Sequence, residues 1–353
     1  MNLAPIVLFV YNRPKHTHQT IEALLDNPLA PQSHLYIYSD GAKDHDTKEQ
    51  VQAVRDYLHE LRATYDLSAQ GKQTNTEAQS AIARHQGTHA TAPHALESRA
   101  AESHTQTSHT PSTTRGFASI TIIERERNFG LAESIINGVT TIIKKHGKII
   151  VLEDDLIVSP HFLQYMNTNL DLYANAKNVA CITAFNFPIS YPPSMQEESF
   201  FIRGADCWTW ATWERAWEIF EPDGQKLLDQ ILRQDLTKEF DFNHSYPYTK
   251  MLRDQIHGRN NSWAIRWYAS AFLQNMLCLY PKHPLAENIG YEGTHFKKAQ
   301  KNEFFGTRSA HFSPPKAIPT QENPIAKAAL SRFYKKQTSL LSRIIKKLQG
   351  LFS

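Results

Sequence analysis

Three consecutive acidic residues, Glu153, Asp154 and Asp155, carry the strongest chemical signal in the sequence. A strand-like run at 148–152 precedes them and an apolar run at 156–158 follows, so they are not part of a solvated stretch of charges. Adjacent carboxylates repel one another unless a cation lies among them, and Mg²⁺ or Mn²⁺ typically takes one or two carboxylates together with substrate phosphates. The pattern therefore predicts a divalent metal site; the alternative is that Asp155 only caps a following helix.

The segments around these acids alternate between strand-like and helix-like patterns. The strand-like runs, each followed directly by polar residues, are 6–10, 35–38, 120–123 and 148–152. Between them, apolar residues recur at helical spacing, as they do over residues 51–61. This alternation predicts an α/β fold with a mostly parallel sheet flanked by helices. In such sheets ligands bind outside the carboxyl ends of the strands, where the polar residues stand.

Composition excludes several classes of protein. The 353 residues are 41% hydrophobic and 21% charged, which is enough for a sizeable core and excludes wholesale disorder. The net charge of +3 is too small for a protein whose main partner is nucleic acid. Three cysteines without CxxC spacing exclude a disulfide framework and fit a reducing compartment. Because we find no signal peptide and no apolar run of about 18 residues, we expect a cytoplasmic protein.

The chain divides into one large domain, a linker and a tail. We expect the domain over residues 1–312, in two halves at 1–155 and 156–312, and the second half holds all six tryptophans. Residues 68–114 have only Ile82 and Leu96 as large apolar side chains. Such a segment cannot offset its ordering entropy, so it is predicted to be a disordered insertion. Its five histidines match no standard metal spacing. The linker is expected at 313–324.

The tail, residues 325–353, carries seven basic side chains and no acidic one, which leaves 31 basic against 35 acidic residues elsewhere. Apolar residues that include Leu330, Phe333, Tyr334 and Ile344 fall on one helical face. A basic amphipathic helix of this kind predicts binding to an anionic membrane surface, and hence a peripheral position on the inner leaflet of the cell membrane. The alternative is a helix docked on its own domain or on a partner protein.

The acidic residues belong to a longer segment, IIVLEDDLIVSPHFLQY, at residues 149–165. This segment resembles the metal-binding segment of GT-A-fold glycosyltransferases, and is most similar to the N-acetylglucosaminyltransferase I type and to bacterial family-2-like members. Further matches follow in order: VYNRP at 10–14, SDG at 39–41, NFGLA at 128–132, WTWATW at 208–213, SWAIRW at 262–267 and NIGYEGTH at 288–295. Each motif is modest, and their collinearity from about residue 5 to 296 carries the resemblance. It implies that 1–155 binds a nucleotide sugar and 156–312 faces the acceptor.

The resemblance implies a role for each matching residue. Asp155, with His295 late in the fold, would hold the Mn²⁺ or Mg²⁺ that bridges the diphosphate of a nucleotide-sugar donor. The other residues implied in donor binding are Glu153, Asp154, Tyr11, Asn12, Arg13, Asp40, Arg127, Asn128 and Leu131. The last three would help to close the nucleotide pocket, at a helix start whose amides favour anions. For Arg127 the alternative is a surface ion pair.

An inverting transferase also needs a carboxylate general base, and here the sequence departs from the resemblance. Related proteins have an acid beside the SWAIRW-like segment, whereas this chain has NNSWA at residues 260–264. The nearest alternatives are Asp254 and Asp206. Most of the tryptophans are expected in the core, with Trp208 and Trp263 as candidates to stack on an acceptor sugar. Thr209 stands where related proteins tend to have glycine.

The implied function is metal-dependent transfer of a hexose or N-acetylhexosamine from a nucleotide sugar to a glycan or lipid-linked acceptor, as in lipopolysaccharide, lipooligosaccharide or capsule assembly. A sugar nucleotidyltransferase is one alternative, disfavoured because the first turn, 11–14, lacks a glycine-rich phosphate loop. A non-catalytic glycan or membrane adaptor that retains the fold is another, and the missing acid near Trp263 favours it. Donor hydrolysis that depends on Mn²⁺ would distinguish an enzyme from an adaptor.

Overall fold

The structure is a computed structural model that describes the backbone of residues 2–85, 115–290 and 307–349 and the side chains of 2–65, 115–290 and 307–338. The strands are β1 (Ile6–Val10), β2 (His34–Ser39), β3 (Ser119–Glu124), β4 (Lys148–Glu153), β5 (Leu156–Val158), β6 (Val179–Thr183), β7 (Ser199–Arg203), β8 (Trp210–Trp213), β9 (Leu277–Pro281) and β10 (Ala286–Asn288). The helices are α1 (Pro14–Leu25), α2 (His45–His85), α3 (Leu131–His146), α4 (Phe162–Leu172), α5 (Glu214–Trp217), α6 (Gly224–Arg233), α7 (Thr237–Phe240), α8 (Tyr248–Ile256), α9 (Trp263–Leu273) and α10 (Pro324–Gln349).

The main sheet has eight strands in the order β3-β2-β1-β4-β8-β6-β9-β7. Neighbours from β3 to β4 are parallel, as are β6 and β9. Strands β8 and β7 run against their neighbours, so six of the eight strands point the same way. The predicted α/β fold with a mostly parallel sheet flanked by helices is confirmed.

The centre of the sheet explains why its strands read as unbroken apolar runs. Every residue of β1 is buried, and so are the four central residues of β4. Strands covered by helices on both faces need apolar side chains in both directions, and therefore lose the alternation of a half-exposed strand. Burying one such Val, Leu or Ile contributes about 1.5–3 kcal/mol, which fixes the register of these two strands.

The direction of the crossovers changes at β1. From β1 the chain passes to β2 on one side, and it later returns to β4 on the other side. The carboxyl ends of β1 and β4 therefore meet at a topological switch point, the usual place for a ligand in an open α/β sheet. In the register, Phe9 lies opposite Glu153. Beyond β4 the chain forms β5, which pairs with β10 in a small antiparallel sheet.

The aromatic-rich half packs most of its tryptophans together. Trp210 lies between three other indole rings, Trp217, Trp263 and Trp267, at centroid distances of 5.6, 5.4 and 5.9 Å. Trp210 and Trp267 are among the largest fully buried side chains. Aromatic clusters of this kind contribute large apolar area and add to the packing energy through ring contacts. The expectation that most of the tryptophans form core is confirmed.

The long helix α2 runs from His45 to His85 and so enters the predicted disordered insertion. Residues 68–85, predicted to lack regular structure, are helical, because Ala, Gln, Glu, Lys and Arg in this stretch are good helix formers. Residues 86–114 lie outside the described residues.

The coil before α10, residues 307–323, is bonded to the rest of the domain, although residues 313–324 were expected to form a linker. The Ile318 amide donates to the Tyr173 hydroxyl at 3.0 Å, and the Asn323 amide donates to the Phe201 carbonyl at 2.9 Å. Glu322 also forms a bridge to Phe201 of β7. These bonds satisfy backbone groups that an extended segment would otherwise expose.

The first turns of α10 pack on the protein's own core. Leu330 and Tyr334 are 2% and 5% exposed, and the Tyr334 ring contacts Phe187 and Tyr246 at 5.3 and 5.1 Å. Phe333 is half-buried against Phe187. The expectation that Leu330 and Tyr334 lie on a membrane-binding face is therefore wrong, because the core buries both, and Phe187 covers part of Phe333. Side chains from 339 onwards, and residues 350–353 altogether, lie outside the described part.

Candidate functional site

The acidic residues lie at the switch point. Glu153 ends β4, and Asp154 and Asp155 form the turn to β5. Only 3% of the Asp154 side chain and 15% of the Asp155 side chain are exposed. The hydroxyl of Thr20 on α1 donates to the Asp154 carbonyl at 2.9 Å and holds the turn. The predicted grouping of these acids at one strand end is therefore present.

Arg13 binds two of the three acids. It precedes α1, whose first residue is Pro14, and its Nη1 lies 2.9 Å from Asp155 Oδ2 while Nη2 pairs with Asp154 Oδ1. Burial acts to lower the pKa of Arg13, but the two carboxylates raise it overall. In this structure a guanidinium thus supplies part of the positive charge that the acids require.

The acids remain under-neutralised. Burial, followed by the charges of Asp155 and Asp154, raises the pKa of Glu153 to about 8. Burial also raises the pKa of Asp154 to about 6, although Arg13 opposes the shift. Three carboxylates and one guanidinium carry a formal charge of −2 when all four groups are ionised. A cation placed here would return both pKa values toward their usual range.

The residues present fit a divalent cation. Asp154 Oδ2 is buried and has no hydrogen-bond partner in the described part of the chain. Position 290 is glycine, and a Cβ there would collide with the Asp155 carboxylate, so the approach to that carboxylate is kept open. An all-oxygen donor set with a charge deficit of two suits Mg²⁺ or Mn²⁺. His295, implied as a further ligand, lies outside the described residues.

Asp40 is engaged with the start of α3. Its carboxylate accepts hydrogen bonds from the amides of Phe129 and Gly130, both at 2.9 Å, and from Gly41 at 3.0 Å. Its exposure is 7%. Asp40 therefore binds the amide of the N-cap residue of α3 and the amide before it, and so joins the end of β2 to the start of this helix.

The remaining residues implied in donor binding lie around this helix start. The Asn128 side chain donates to the Gly41 carbonyl at 2.8 Å, and the exposed Arg127 stacks on Phe129 at 4.8 Å. Leu131 is 52% exposed, a large apolar side chain open to solvent. These contacts place Arg127, Asn128 and Leu131 at the rim of the switch point, and they do not by themselves assign a ligand.

The turn after β1 completes the same edge. The Tyr11 hydroxyl donates to Thr47 Oγ1 at 3.2 Å and accepts from the Lys43 amide at 3.1 Å. Asn12, the residue between Tyr11 and Arg13 in the sequence, is half-buried. Tyr11 therefore joins the segment before α2 to the turn that carries Arg13.

Of the two candidate bases, Asp206 is held by hydrogen bonds from uncharged groups. Its carboxylate accepts from the Cys207 and Trp208 amides at 2.7 and 2.8 Å and from the Tyr280 hydroxyl at 3.0 Å. Burial raises its pKa, and these donors oppose the rise. Burial and then the charges of both Asp206 and Glu153 raise the pKa of the Cys207 thiol.

Asp254 has different surroundings. It is paired with Lys250 and with Arg259, whose Nη2 is 2.6 Å from Asp254 Oδ1. Hydrogen bonds from these two cations lower the pKa of Asp254. The residues lie in an open basic pocket of about 410 Å³ together with Thr249 and Arg253. A carboxylate held ionised by two cations is a weak proton acceptor at neutral pH, so the geometry favours Asp206.

The two tryptophans named as acceptor contacts differ. Trp263 is 3% exposed and stacks on Trp210, so its ring belongs to the core. Trp208 is half-buried and meets Phe185 edge-on at 4.6 Å. Thr209 beside it has a φ of 44°, in the left-handed region that favours glycine. Strain of this kind concentrates at functional loops.

Sequence reasoning missed Tyr280, Cys207 and Gly290. Tyr280 lies on β9, 74 positions from Asp206, so no local pattern links them. Gly290 stands in the segment 288–295 that carries the resemblance, but only the fold shows that it faces Asp155.

No protein-family model matches the chain, and no curated protein matches it. Among solved structures, the crystal structure of S. aureus TarS 1-349 matches with 8% sequence identity and a TM-score of 0.28. The match covers 59% of this chain and 47% of that chain, so this chain spans about half the length of the neighbour. A likeness of this size carries no argument about function. None of the helices in the described ranges has the length and apolarity to cross a membrane.

Proposed function

We propose that the protein is a metal-dependent glycosyltransferase that uses a nucleotide sugar as donor. The observation that carries the proposal is the acidic corner at the switch point, where three carboxylates face one guanidinium and Asp154 Oδ2 has no partner among the described residues. This corner suits a divalent cation, and a cation held there would bind the diphosphate of the donor. The family resemblance of the sequence supports the same function.

Each residue of the corner has a proposed part. Asp155 and Asp154 would hold Mn²⁺ or Mg²⁺, which when bound supplies Lewis-acid stabilisation of the leaving nucleoside diphosphate. Arg13, whose guanidinium pairs with both acids, would also bind the donor phosphates. Glu153 would hydrogen-bond the donor sugar or ribose, and Tyr11, Asn12, Arg127, Asn128 and Leu131 would border the nucleotide.

Asp206 is the proposed general base of an inverting transfer. Its raised pKa keeps the carboxylate basic enough to accept the proton of an acceptor hydroxyl as the new glycosidic bond forms. Tyr280 and two backbone amides fix its orientation. Trp208, on the same loop, would contact the apolar face of an acceptor sugar.

The second half of α10 is proposed to bind an anionic membrane surface, which suits a lipid-linked glycan acceptor. The segment beyond residue 338 retains Arg343, Lys346 and Lys347 together with Leu341, Ile344, Ile345 and Leu348 and has no acid. Basic residues interleaved with apolar ones are typical of helices that lie in the interface of anionic leaflets. A non-catalytic adaptor would use the same basic segment to bind a membrane, but it would not turn over a nucleotide sugar.

The test is a panel of nucleotide sugars added to the full chain with Mn²⁺ or with a chelator. A donor that binds the folded state raises the melting temperature, and we expect one class of nucleotide sugar to do so only with metal. Slow metal-dependent donor hydrolysis should accompany it. Stabilisation without metal, or binding without any turnover, would support the adaptor instead.

The two candidate bases can be separated by a matched pair of variants. Asp206→Asn should reduce transfer or donor hydrolysis by about 10²–10⁴-fold and leave metal-dependent donor binding within a few fold. Asp254→Asn is the matched variant, because it also replaces a carboxylate by an amide of the same shape. It should change neither turnover nor metal-dependent donor binding. A loss of turnover in Asp254→Asn alone would reverse the assignment.

A further inference from the structure

A second group of metal-ligating side chains lies away from the acidic corner. It consists of Glu198, His283 and His311, and their ligating atoms all lie within 4.8 Å of one another. Within the described residues this is the only group of three or more His, Cys, Asp or Glu ligands that is so arranged. The three come from separate segments: Glu198 directly precedes β7, His283 follows β9, and His311 lies in the coil that leads to α10.

The backbone holds the three residues together independently of any ion. Strands β7 and β9 pair with Ser199 opposite Pro281, and the Lys282 amide donates to the Glu198 carbonyl at 2.8 Å. Glu198 and His283 are thus fixed on neighbouring strand ends at the β7 edge of the sheet.

The coil that carries His311 is fixed to the same edge. The Ser309 amide donates to the Pro284 carbonyl at 2.7 Å, and Arg308 Nη1 donates to the Val158 carbonyl at 2.6 Å. Next to His311, the Phe312 ring stacks on His161 at 4.4 Å. His311 therefore faces the strand ends because the chain on both sides of it is anchored.

The side chains already contact one another. His311 Nε2 lies 3.2 Å from Glu198 Oε2, and the His283 and His311 rings meet at 4.9 Å with an angle of 73°. The Ser313 hydroxyl lies within 3.2–3.4 Å of the same two ligand atoms. Glu198 and His311 are 43% and 55% exposed, which leaves an entry path for an ion.

The donor set selects a class of metal. Two imidazoles and one carboxylate suit Zn²⁺ and related transition-metal ions, whereas Mg²⁺ prefers oxygen ligands. Bonds to Zn²⁺ of about 2.0–2.2 Å require the exposed side chains to close by about 1 Å.

We propose that Glu198, His283 and His311 bind a divalent transition-metal ion of the Zn²⁺ class, with water or the nearby hydroxyl as a fourth ligand. The bound ion ties the coil 307–323 to the β7 edge of the sheet and stabilises the folded state. This site is separate from the acidic corner, in both position along the sheet and ligand chemistry, and does not depend on the proposed transferase function.

The experiment is a titration of the full chain with Zn²⁺, in the presence of saturating Mg²⁺ to occupy all-oxygen sites. Because the chain has 17 histidines and others can also bind Zn²⁺, the readout is the difference in bound Zn²⁺ and in affinity between the wild type and each variant. We expect His283→Ala and His311→Ala each to lose one equivalent of Zn²⁺ or at least tenfold in its affinity, and Zn²⁺ to raise the melting temperature of the wild type but not of these variants. Glu198→Gln should weaken binding in the same direction.

The matched control is His59→Ala. His59 also pairs with a glutamate, Glu124, at 2.6 Å and is similarly exposed, but no third ligand is grouped with that pair within the described residues. This variant should keep the wild-type equivalents and affinity. Circular dichroism without metal shows whether each variant is folded, and Co²⁺ absorption gives a second measure of coordination. Equal Zn²⁺ binding by wild type, His283→Ala and His311→Ala would overturn the proposal.

Discussion

At the scale of single residues, the acidic corner is a compromise between burial and function. Glu153 and Asp154 are ionisable groups with raised pKa values at the end of a buried strand, and Arg13 neutralises only part of their charge. Such an arrangement costs stability, and functional sites are where proteins accept such costs. The corner is therefore better explained by a ligand that it binds than by the packing of the fold.

The first prediction concerns pH. A carboxyl whose pKa is higher in the folded than in the unfolded chain releases its proton on unfolding, so stability falls as pH rises from the unfolded to the folded pKa. For Glu153 that window runs from about 4.5 to about 8. Glu153→Gln should therefore raise the unfolding free energy by about 1–3 kcal/mol at pH 8 and by less at pH 5, measured by urea denaturation without metal.

The control for this prediction is Glu239→Gln. Glu239 pairs loosely with Arg203 at 3.5 Å and is 52% exposed, so its removal should change stability little at either pH. Equal effects of the two substitutions, or a stabilisation by Glu153→Gln that is larger at pH 5, would contradict the charge account of the corner.

At the scale of elements, the start of α3 shows how one side chain joins two segments. Asp40 follows β2 and receives the amides of Phe129 and Gly130, and thereby fixes the loop that carries Arg127 and Asn128. Gly130 is the N-cap residue and has a φ of 75°, in the left-handed region that favours glycine. Asp40 therefore joins the end of β2 to the two residues that lead into α3.

We therefore predict that Asp40→Ala lowers the unfolding free energy by about 1–3 kcal/mol, because the amides of Phe129 and Gly130 lose their acceptor. Asp229→Ala is the control, because the exposed Asp229 side chain accepts from Gln225 one turn earlier on α6 and joins no two segments. Urea denaturation measures both. Unchanged stability of Asp40→Ala together with lost donor binding would show that this residue serves the nucleotide rather than the helix.

Helix α10 combines two surfaces. Its first turns are docked, since Leu330 and Tyr334 are buried, and burial of each contributes about 1.5–3 kcal/mol. Its remaining turns carry the basic and apolar residues on which the membrane proposal rests. The two roles can be separated because they occupy different stretches of one helix.

Two truncations test this division. A chain ending at residue 338 should keep its stability and lose binding to anionic vesicles, and high salt should weaken the binding of the full chain. A chain ending at 323 should lose several kcal/mol of stability because the docked turns are gone. Sedimentation with vesicles and urea denaturation are the measurements. Vesicle binding unchanged by the shorter deletion would mean that these turns do not bind the membrane.

At the scale of the whole molecule, the N-terminal half was predictable because its signals are local. Apolar runs in β1 and β4 reflect burial on both faces, and the acids stand directly after one of them. The antiparallel strands β7 and β8 were not predicted, because their pairing depends on partners far away in the chain. The reversed strands of the sheet were therefore beyond sequence reasoning.

The site was predictable only in part, for the same reason. The acids are adjacent in sequence, but Arg13 meets Asp155 across 142 positions and Tyr280 meets Asp206 across 74. The ion pairs of Asp254 and the burial of Trp263 bear on the proposed base and acceptor contacts. Neither property can be read from residue type or spacing.

The most direct test of the central claim is calorimetric titration of the full chain with a panel of nucleoside diphosphates, with and without Mn²⁺. We predict that one of them binds the wild type only with Mn²⁺, that Asp155→Ala weakens this binding at least tenfold, and that Asp171→Ala, which removes an exposed carboxylate paired with Lys148, binds like the wild type. Equal nucleotide affinity with and without Mn²⁺ would contradict the assignment of the acidic corner. So would wild-type affinity in Asp155→Ala.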